Sequence, residues 1–320
     1  MPLLWQKGAY SQYQVYSKSD VQQIVSFASD RGIRVIPEFD MPGHAYSWSA
    51  GTGLVLCPDA KPYDTYCAEP PCGQLDISKN ETYTMIQTFL TEMASWFPDH
   101  VVHLGSDEVN VQCYTDTPSI QSYFKEQNSN LPKLLQTFQD RVQKIVRENK
   151  KTPMFWEDVV MDWPTLVPKD TIMQSWKGPQ SRLELLERGY QVVVSDANAW
   201  YLDCGHGNFV TGNKSWCDPY KTWANMYSYD PKTGIPDDLA NGIIGGEAAL
   251  WTELVNENGV IQAVFPRAAG MGGSLWNARH DHNWTVMAPA MDKFSQLLIA
   301  RGIRGGVIWP EWCSKDNCYA

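Results

Sequence analysis

The chain has 320 residues, of which 43% are hydrophobic and 19% charged, so it can bury a core and is not globally disordered. Its formal net charge is −10 and it shows no cluster of Lys and Arg, which argues against a nucleic-acid partner. It contains no run of about 18 apolar residues, so no membrane-spanning segment is predicted.

Short apolar strands alternate with amphipathic helices along the chain, which predicts parallel strands joined by right-handed crossovers. A doubly wound sheet and an eightfold barrel both fit this alternation. In chain order, the predicted elements are a helix from Ser19 to Gly32, a strand at 33–39, a loop at 41–79, a helix at 82–97, a strand at 101–105, a helix at 131–149, strands at 153–159 and 171–176, a helix at 181–188, a strand at 191–197, a loop at 198–240, a strand at 243–251, and helices at 261–276 and 289–301.

The residues that end the predicted strands favour the barrel. A barrel places its active site at the C-terminal ends of many strands, whereas a doubly wound sheet uses one switch point and often a Gly-rich phosphate loop, which is missing here. We therefore predict an α/β protein with a (β/α)8 barrel, and we find about six of its eight strands. The strand ends carry Glu38, Asp40, Asp107, Glu108, Trp156, Glu157, Trp176, Asp196, Glu247 and Trp251.

The eight cysteines lie in segments rich in Gly, Pro and Asn. They form no C-x-x-C pair, so a zinc ribbon or redox motif is not indicated. An even number of loop cysteines favours disulfides and an oxidising compartment, and sequons at Asn80, Asn213 and Asn283 agree with this. We therefore expect a secreted glycoprotein, although the first residues show no signal-peptide pattern.

An Asp-Glu pair, Asp107-Glu108, lies one residue beyond the end of the predicted strand at 101–105. Neighbouring carboxylates push their pKa values apart, so one stays ionised while the other keeps its proton to higher pH. The pair therefore suits a general acid beside an electrostatic stabiliser. An Asp-Glu pair without this context is more often the solvated start of a loop.

Two further segments carry candidate site residues. Glu38, Asp40 and His44 surround a Pro-Gly turn, where they could bind zinc or manganese, orient a catalytic acid, or simply cap the turn. Tyr201 and Asp203 follow the strand at 191–197, beside an indole. Trp residues at successive strand ends predict an aromatic wall around one pocket.

Three segments closely resemble, in order and spacing, the β-N-acetylhexosaminidases of glycoside hydrolase family 20, in particular eukaryotic, fungal members. The resemblance implies a retaining, exo-acting hydrolase of terminal N-acetylglucosamine or N-acetylgalactosamine in chitin oligomers or glycoconjugates. It implies no cofactor and no metal, with a homodimer as a candidate assembly of the parent enzyme. The segments are Arg34-Val-Ile-Pro-Glu-Phe-Asp-Met-Pro-Gly-His44, His103-Leu-Gly-Ser-Asp-Glu-Val109 and Gly245-Gly-Glu-Ala-Ala-Leu-Trp-Thr-Glu253.

The resemblance also implies a substrate-assisted mechanism. Glu108 would be the general acid and then the base, while the carbonyl oxygen of the substrate's own 2-acetamido group attacks and forms an oxazolinium intermediate. Asp107 would accept the acetamido N–H and stabilise the positive charge. Tyr201 would hold the acetamido oxygen for attack.

Further roles follow from the same resemblance. Trp156, Trp176 and Trp251 would wall the acetamido pocket, and Asp203 and Glu253 would bind sugar hydroxyls. His44, His103 and Asp40 would lie near Glu108 and orient it without contacting the substrate. The bridge Cys57–Cys113 resembles a family disulfide, while Cys204–Cys217, Cys313–Cys318 and Cys67–Cys72 are expected as sequence-local pairs.

The chain departs from the family pattern at its start. The family's catalytic domain begins upstream, after an N-terminal α/β domain, and its first two strands bring an Arg for the sugar hydroxyls and an Asp behind the motif His. We therefore expect Met1 to be an internal start and the barrel to lack those strands.

Two rival functions stay open. One is an inactive sugar-binding fragment of such an enzyme, which activity on an aryl N-acetylglucosaminide would exclude. The other is a metal-dependent barrel hydrolase, which lacks the usual H-x-H pair and strand-end Lys and which chelation would test. Its ligands would be Glu38, Asp40, His44, His103 and Asp107.

Overall fold

A computed structural model describes residues 2–208, 210, 212, 214–276, 282–316 and 318. They form two compact units, Met1–Met173 and Gln174–Ala320, which are described separately. The predicted sequon at Asn213 lies outside the described residues. Within these ranges, no helix combines the length and apolar character needed to cross a bilayer.

The first unit alternates helices with short strands. Its helices are α1 (Pro2–Gly8), α2 (Lys18–Ser29), α3 (Tyr63–Tyr66), α4 (Asn80–Trp96), α5 (Val111–Asp116), α6 (Pro118–Glu126), α7 (Leu131–Glu148) and α8 (Asp158–Met161), with a 3-10 turn at Tyr46–Ser49. Its strands are the antiparallel pair β1 (Val55–Leu56) and β2 (Gln74–Leu75), then β3 (Val101–His103), β4 (Thr152–Trp156) and the beginning of β5 (Ile172–Ser175).

Strands β3 and β4 run parallel, with His103 opposite Met154, and they place the Asp-Glu pair at the end of β3. Helix α7 follows the predicted helix at 131–149, because its apolar side chains recur at helical spacing and the side chain of Asn130 accepts the N–H of Lys133 at its start. Its buried face includes Phe138 and Val142. This face of α7 packs against helix α4 and strand β4.

The predicted strand at 33–39 is wrong as a full strand, since it makes a single parallel bridge between Glu38 and His103. The His103 N–H donates to the Pro37 carbonyl at 2.9 Å, but Pro37 has no N–H with which to extend a ladder. The preceding Ile33 and Ile36 are 59% and 41% exposed. The described residues therefore carry five of the six predicted strands.

The second unit contains the end of β5, two further strands and seven helices among its described residues. Strands β6 (Gln191–Val194) and β7 (Ile243–Gly246) are parallel, and the Ser195 N–H donates to the Ser175 carbonyl at 2.7 Å. The helices are α9 (Pro179–Glu187), α10 (Ala197–Trp200), α11 (Trp223–Ser228), α12 (Val260–Val264), α13 (Arg267–Trp276), α14 (Trp284–Ala300) and α15 (Cys313–Asp316).

Most helix boundaries shift by one to three residues from prediction, and two helices differ more strongly. The helix predicted at 261–276 is two helices, α12 and α13, because Pro266 lacks the N–H that a continuous helix would use. Helix α14 begins at Trp284 rather than at Pro289, since the Asn283 side chain accepts the Thr285 N–H and caps an earlier start.

Four disulfides join the eight cysteines in the pairs expected from the sequence. Cys57–Cys113 ties the loop before β2 to helix α5, which begins three residues after Glu108. Cys204–Cys217 closes the loop that follows Tyr201. Both bridges therefore restrain segments that adjoin candidate site residues.

Candidate active site

The turn after β3 carries the Asp-Glu pair and includes residues in a left-handed backbone conformation that non-glycine residues rarely adopt. Gly105, Ser106 and Glu108 have φ values of 60°, 70° and 50°. A left-handed conformation costs about 1–2 kcal/mol for a non-glycine residue, and such strain concentrates at functional sites. The Glu108 N–H donates to Asp158 Oδ1 at 3.3 Å, which helps to hold the turn.

His44 lies between the two carboxylates of the pair. Its Nε2 is 3.5 Å from Asp107 Oδ2 and 3.3 Å from Glu108 Oε2. Burial lowers the pKa of His44, but hydrogen bonds to Asp107 and Glu108 outweigh it, and the pKa is raised well above its ordinary value. The imidazole is therefore charged at neutral pH and fixes both carboxylates.

Asp40 and Asp107 share a hydrogen bond and titrate very differently. Burial and the negative charge of Asp107 raise the pKa of Asp40 well above its usual range. Burial also opposes ionisation of Asp107, but the hydrogen bonds from His44 and Asp40 prevail, so the pKa of Asp107 is lowered. A protonated Asp40 thus donates to an ionised Asp107.

Asp107 keeps one acceptor unused. Its Oδ1 is buried and has no hydrogen-bond partner within the part of the chain that the structure describes. A buried carboxylate oxygen without a donor is costly unless a ligand supplies one. This atom is suited to accept an N–H from a substrate.

Trp156 and His103 both contact Glu38. The Trp156 Nε1–H donates to Glu38 Oε1 at 3.0 Å, and His103 Nδ1 lies 3.1 Å from the same oxygen. Trp156 is only 2% exposed and packs edge-on against the His103 ring, with centroids 5.3 Å apart. Its indole N–H is thus committed to Glu38, and its part in an acetamido pocket stays a prediction.

The second unit brings four aromatic rings together. Trp176 stacks on Tyr201 with centroids 6.4 Å apart and an interplanar angle of 14°. Trp216 meets Trp176 and Tyr201 edge-on at 5.7 and 5.8 Å, and Trp251 lies 6.4 Å from Tyr201. The sequence analysis missed Trp216, whose position directly before Cys217, the partner of Cys204, is the signal that could have revealed it.

Asp203 lies beside this aromatic cluster as a largely buried carboxyl. Burial, reinforced by the charge of Glu253, raises the pKa of Asp203 to about 6. Its Oδ1 is buried with no partner among the described residues. Two hydrogen bonds fix the backbone of the preceding residue, Leu202. Its N–H donates to the Ala249 carbonyl at 2.7 Å, and the Leu202 carbonyl accepts from the Arg267 guanidinium at 2.6 Å. Asp203 is therefore placed to bind a hydroxyl group.

Three residues of the metal-hydrolase alternative also cluster. Asp40, His44 and Asp107 present potential ligand atoms within 4.8 Å of one another. The hydrogen bonds between these side chains already account for their proximity. His103 is engaged with Glu38 instead.

A family model for the catalytic domain of glycosyl hydrolase family 20 matches residues 1–279. The chain is 33% identical over 333 residues to a chitooligosaccharidolytic beta-N-acetylglucosaminidase of Ostrinia furnacalis, covering 99% of this chain and 56% of the relative. It is 34% identical over 347 residues to a beta-hexosaminidase of Emericella nidulans, covering 96% of this chain and 57% of the relative. The chain thus spans little more than half the length of these curated relatives.

The fold also matches solved structures. The GH20 exo beta-N-acetylglucosaminidase from Vibrio harveyi, in complex with N-acetylglucosamine, aligns with a TM-score of 0.79 at 24% identity over 92% of this chain and 47% of that chain. The beta-N-acetylhexosaminidase from Bacteroides fragilis aligns with a TM-score of 0.79 at 22% identity over 100% of this chain and 65% of that chain. The shared fold confirms the predicted α/β barrel class.

Proposed function

The chain belongs to glycosyl hydrolase family 20, and from this we propose that it is a retaining exo-β-N-acetylhexosaminidase. It would release terminal N-acetylglucosamine or N-acetylgalactosamine from the non-reducing end of a glycan. The observation that carries the proposal is the position of His44 within 3.5 Å of both Asp107 and Glu108, together with the unpartnered Oδ1 of Asp107.

Glu108 acts as the proton donor and then as the base. Its Oε2 is oriented by His44 at 3.3 Å, which leaves the other oxygen to protonate the glycosidic oxygen. Once the leaving group has departed, the Glu108 carboxylate removes a proton from the attacking water. Glu108 thus donates a proton in the first step and accepts one in the second.

The nucleophile belongs to the substrate. The acetamido carbonyl oxygen bonds to C1 as the C1–O bond to the leaving group breaks, and the oxazolinium ring carries the positive charge. Water then attacks C1 from the face that the leaving group left, reopening the ring with the β configuration retained. Asp107 supports both steps, because its ionised carboxylate accepts the acetamido N–H and stabilises the ring charge.

The second unit supplies sugar-binding groups. Tyr201 would hold the acetamido oxygen, Trp176 and Trp251 would contact the sugar and its acetamido group, and Asp203 with Glu253 would bind its hydroxyls. The exposed face of Trp216, which is 57% accessible, adds a surface on which a further sugar ring can stack. For Trp156, in the first unit, the family resemblance implies a place in the wall of the acetamido pocket.

Substrate class and compartment are proposed from the relatives and from the disulfides. A relative at 33% identity is named for chitooligosaccharides, so we propose chitin oligomers among the substrates. The four disulfides favour the secretory pathway or the extracellular space, where such bridges persist. A homodimer is proposed for the parent enzyme.

A comparison of two aryl substrates tests this function. We expect an aryl β-N-acetylglucosaminide to be hydrolysed with a kcat/KM at least about 10³-fold above that of the aryl β-glucoside, because a positioned intramolecular nucleophile can contribute about 7–11 kcal/mol. Chelation with EDTA serves as the control for the metal alternative and should leave both rates unchanged. Similar hydrolysis of the two substrates, or a loss on chelation that zinc restores, would contradict the proposal.

A further inference from the structure

Ser106 lies in the turn that carries Asp107 and Glu108, has no role in the scheme above, and makes three hydrogen bonds. It is 1% exposed and has a φ of 70°. Its N–H donates to Asp40 Oδ1 at 2.9 Å, and its hydroxyl donates to the Met41 carbonyl at 2.6 Å. The same hydroxyl accepts from Gln139 Nε2 at 3.2 Å. A strained serine is thus held by three hydrogen bonds.

Gln139 is an unusual residue for its place in helix α7. It is 3% exposed on a face that also buries Phe138 and Val142. Its Oε1 has no hydrogen-bond partner among the residues that the structure describes, so the amide makes its contact with Ser106 through Nε2. A buried amide that is only half satisfied costs stability, which a methionine of similar length would avoid.

We propose that Gln139 and Ser106 form a positioning pair that holds Asp40, and through Asp40 the carboxylate of Asp107, in the geometry needed for catalysis. This inference rests on the proposed function. Neither residue touches the reacting atoms, so both act through the carboxylates that they place.

The contacts link the pair to Asp107 step by step. Gln139 fixes the Ser106 hydroxyl, and Ser106 fixes both the Asp40 carboxylate and the Met41 carbonyl. The turn packs so closely here that a Cβ at Gly105 would collide with the Asp40 carboxylate. Asp40 in turn donates to Asp107. If Gln139 releases the Ser106 hydroxyl, the strained turn can relax and Asp40 loses its fixed position.

Gln143 provides a matched control on the same helix. It is 4% exposed, lies one turn after Gln139 and accepts from Thr171 Oγ1 at 3.3 Å, away from the carboxylate cluster. We expect Gln139→Met to lower kcat on the aryl N-acetylglucosaminide by about 10-fold or more, with KM within about twofold and an unchanged or higher Tm. Gln143→Met should leave kcat within about twofold.

Ser106 variants separate the hydroxyl from the backbone strain. Ser106→Ala removes the hydroxyl but keeps the strained conformation, whereas Ser106→Gly removes both. The pair requires the hydroxyl, so both variants should show the loss of kcat seen with Gln139→Met. Activity close to wild type in Ser106→Gly would overturn the inference.

Titration of His44 gives a readout that needs no turnover. NMR of histidine-labelled protein would follow its imidazole, which faces Asp40, Asp107 and Glu108. The pKa of His44 should fall toward its ordinary value in Gln139→Met and stay unchanged in Gln143→Met. If the wild-type protein has no hydrolytic activity, the proposed function is refuted. The His44 pKa in wild type and Gln139→Met would then still test whether Gln139 and Ser106 position the carboxylates. Identical His44 titration in wild type and Gln139→Met would overturn it.

Discussion

Replacing Glu108 with Gln is expected to remove nearly all hydrolytic activity while the fold is kept. Gln has the same shape and can still contact His44, but it can neither protonate the leaving oxygen nor take a proton from water. General acid–base catalysis contributes about 10²–10⁴-fold to each such step. Measurement of kcat/KM together with Tm would separate lost chemistry from lost folding.

The leaving group sharpens this test. A sugar leaving group needs protonation more than the nitrophenolate released from an aryl substrate does. The loss of kcat/KM in Glu108→Gln should therefore be greater on chitobiose than on the aryl substrate. The exposed Glu126, at the end of α6, offers the matched control Glu126→Gln, which should behave as wild type. A loss of only a few-fold on both substrates would contradict the assignment of Glu108 as the acid.

Replacing Asp107 with Asn is expected to lower kcat/KM on the N-acetylglucosaminide by about 10²-fold or more. A preorganised electrostatic contact to a developing charge is worth about 3 kcal/mol, and Asn removes the negative charge that faces the oxazolinium ring. The amide also replaces an acceptor with a donor toward His44 or Asp40. Steady-state kinetics on the aryl substrate would measure the loss.

The surface variant Asp237→Asn makes the same chemical change at an exposed position and should leave kcat/KM unchanged. If Asp107 acts electrostatically, the loss of kcat/KM in Asp107→Asn should be confined to substrates that carry the acetamido group. The carboxylate contacts the substrate only through that group. An Asp107→Asn enzyme with near wild-type turnover would refute the role given to this carboxylate.

The parts of the fold that the sequence could predict are those controlled by local pattern. Helix α7 was predictable because its apolar residues repeat at helical spacing and Asn130 caps its start. The position of Asp107 and Glu108 after a buried strand was predictable because strand β3 is short, apolar and bounded by Gly105. Local patterns of this kind do not depend on distant neighbours.

Features that depend on distant partners escaped prediction. The segment at 33–39 reads as an apolar strand, but Pro37 and the exposure of Ile33 and Ile36 limit it to one bridge. The different protonation states of Asp40 and Asp107 arise only when folding brings them and His44 together. Trp216 joins the aromatic cluster through a disulfide-closed loop, which no periodic pattern encodes.

The anomer that the enzyme releases first tests the central claim most directly. Proton NMR of the reaction, recorded before mutarotation, distinguishes β-N-acetylglucosamine from its α anomer. Internal attack by the acetamido group, followed by water activated by Glu108, requires two inversions at C1 and therefore predicts the β anomer. Initial release of the α anomer would mean that water displaces the leaving group directly, and it would contradict the mechanism assigned to Asp107 and Glu108.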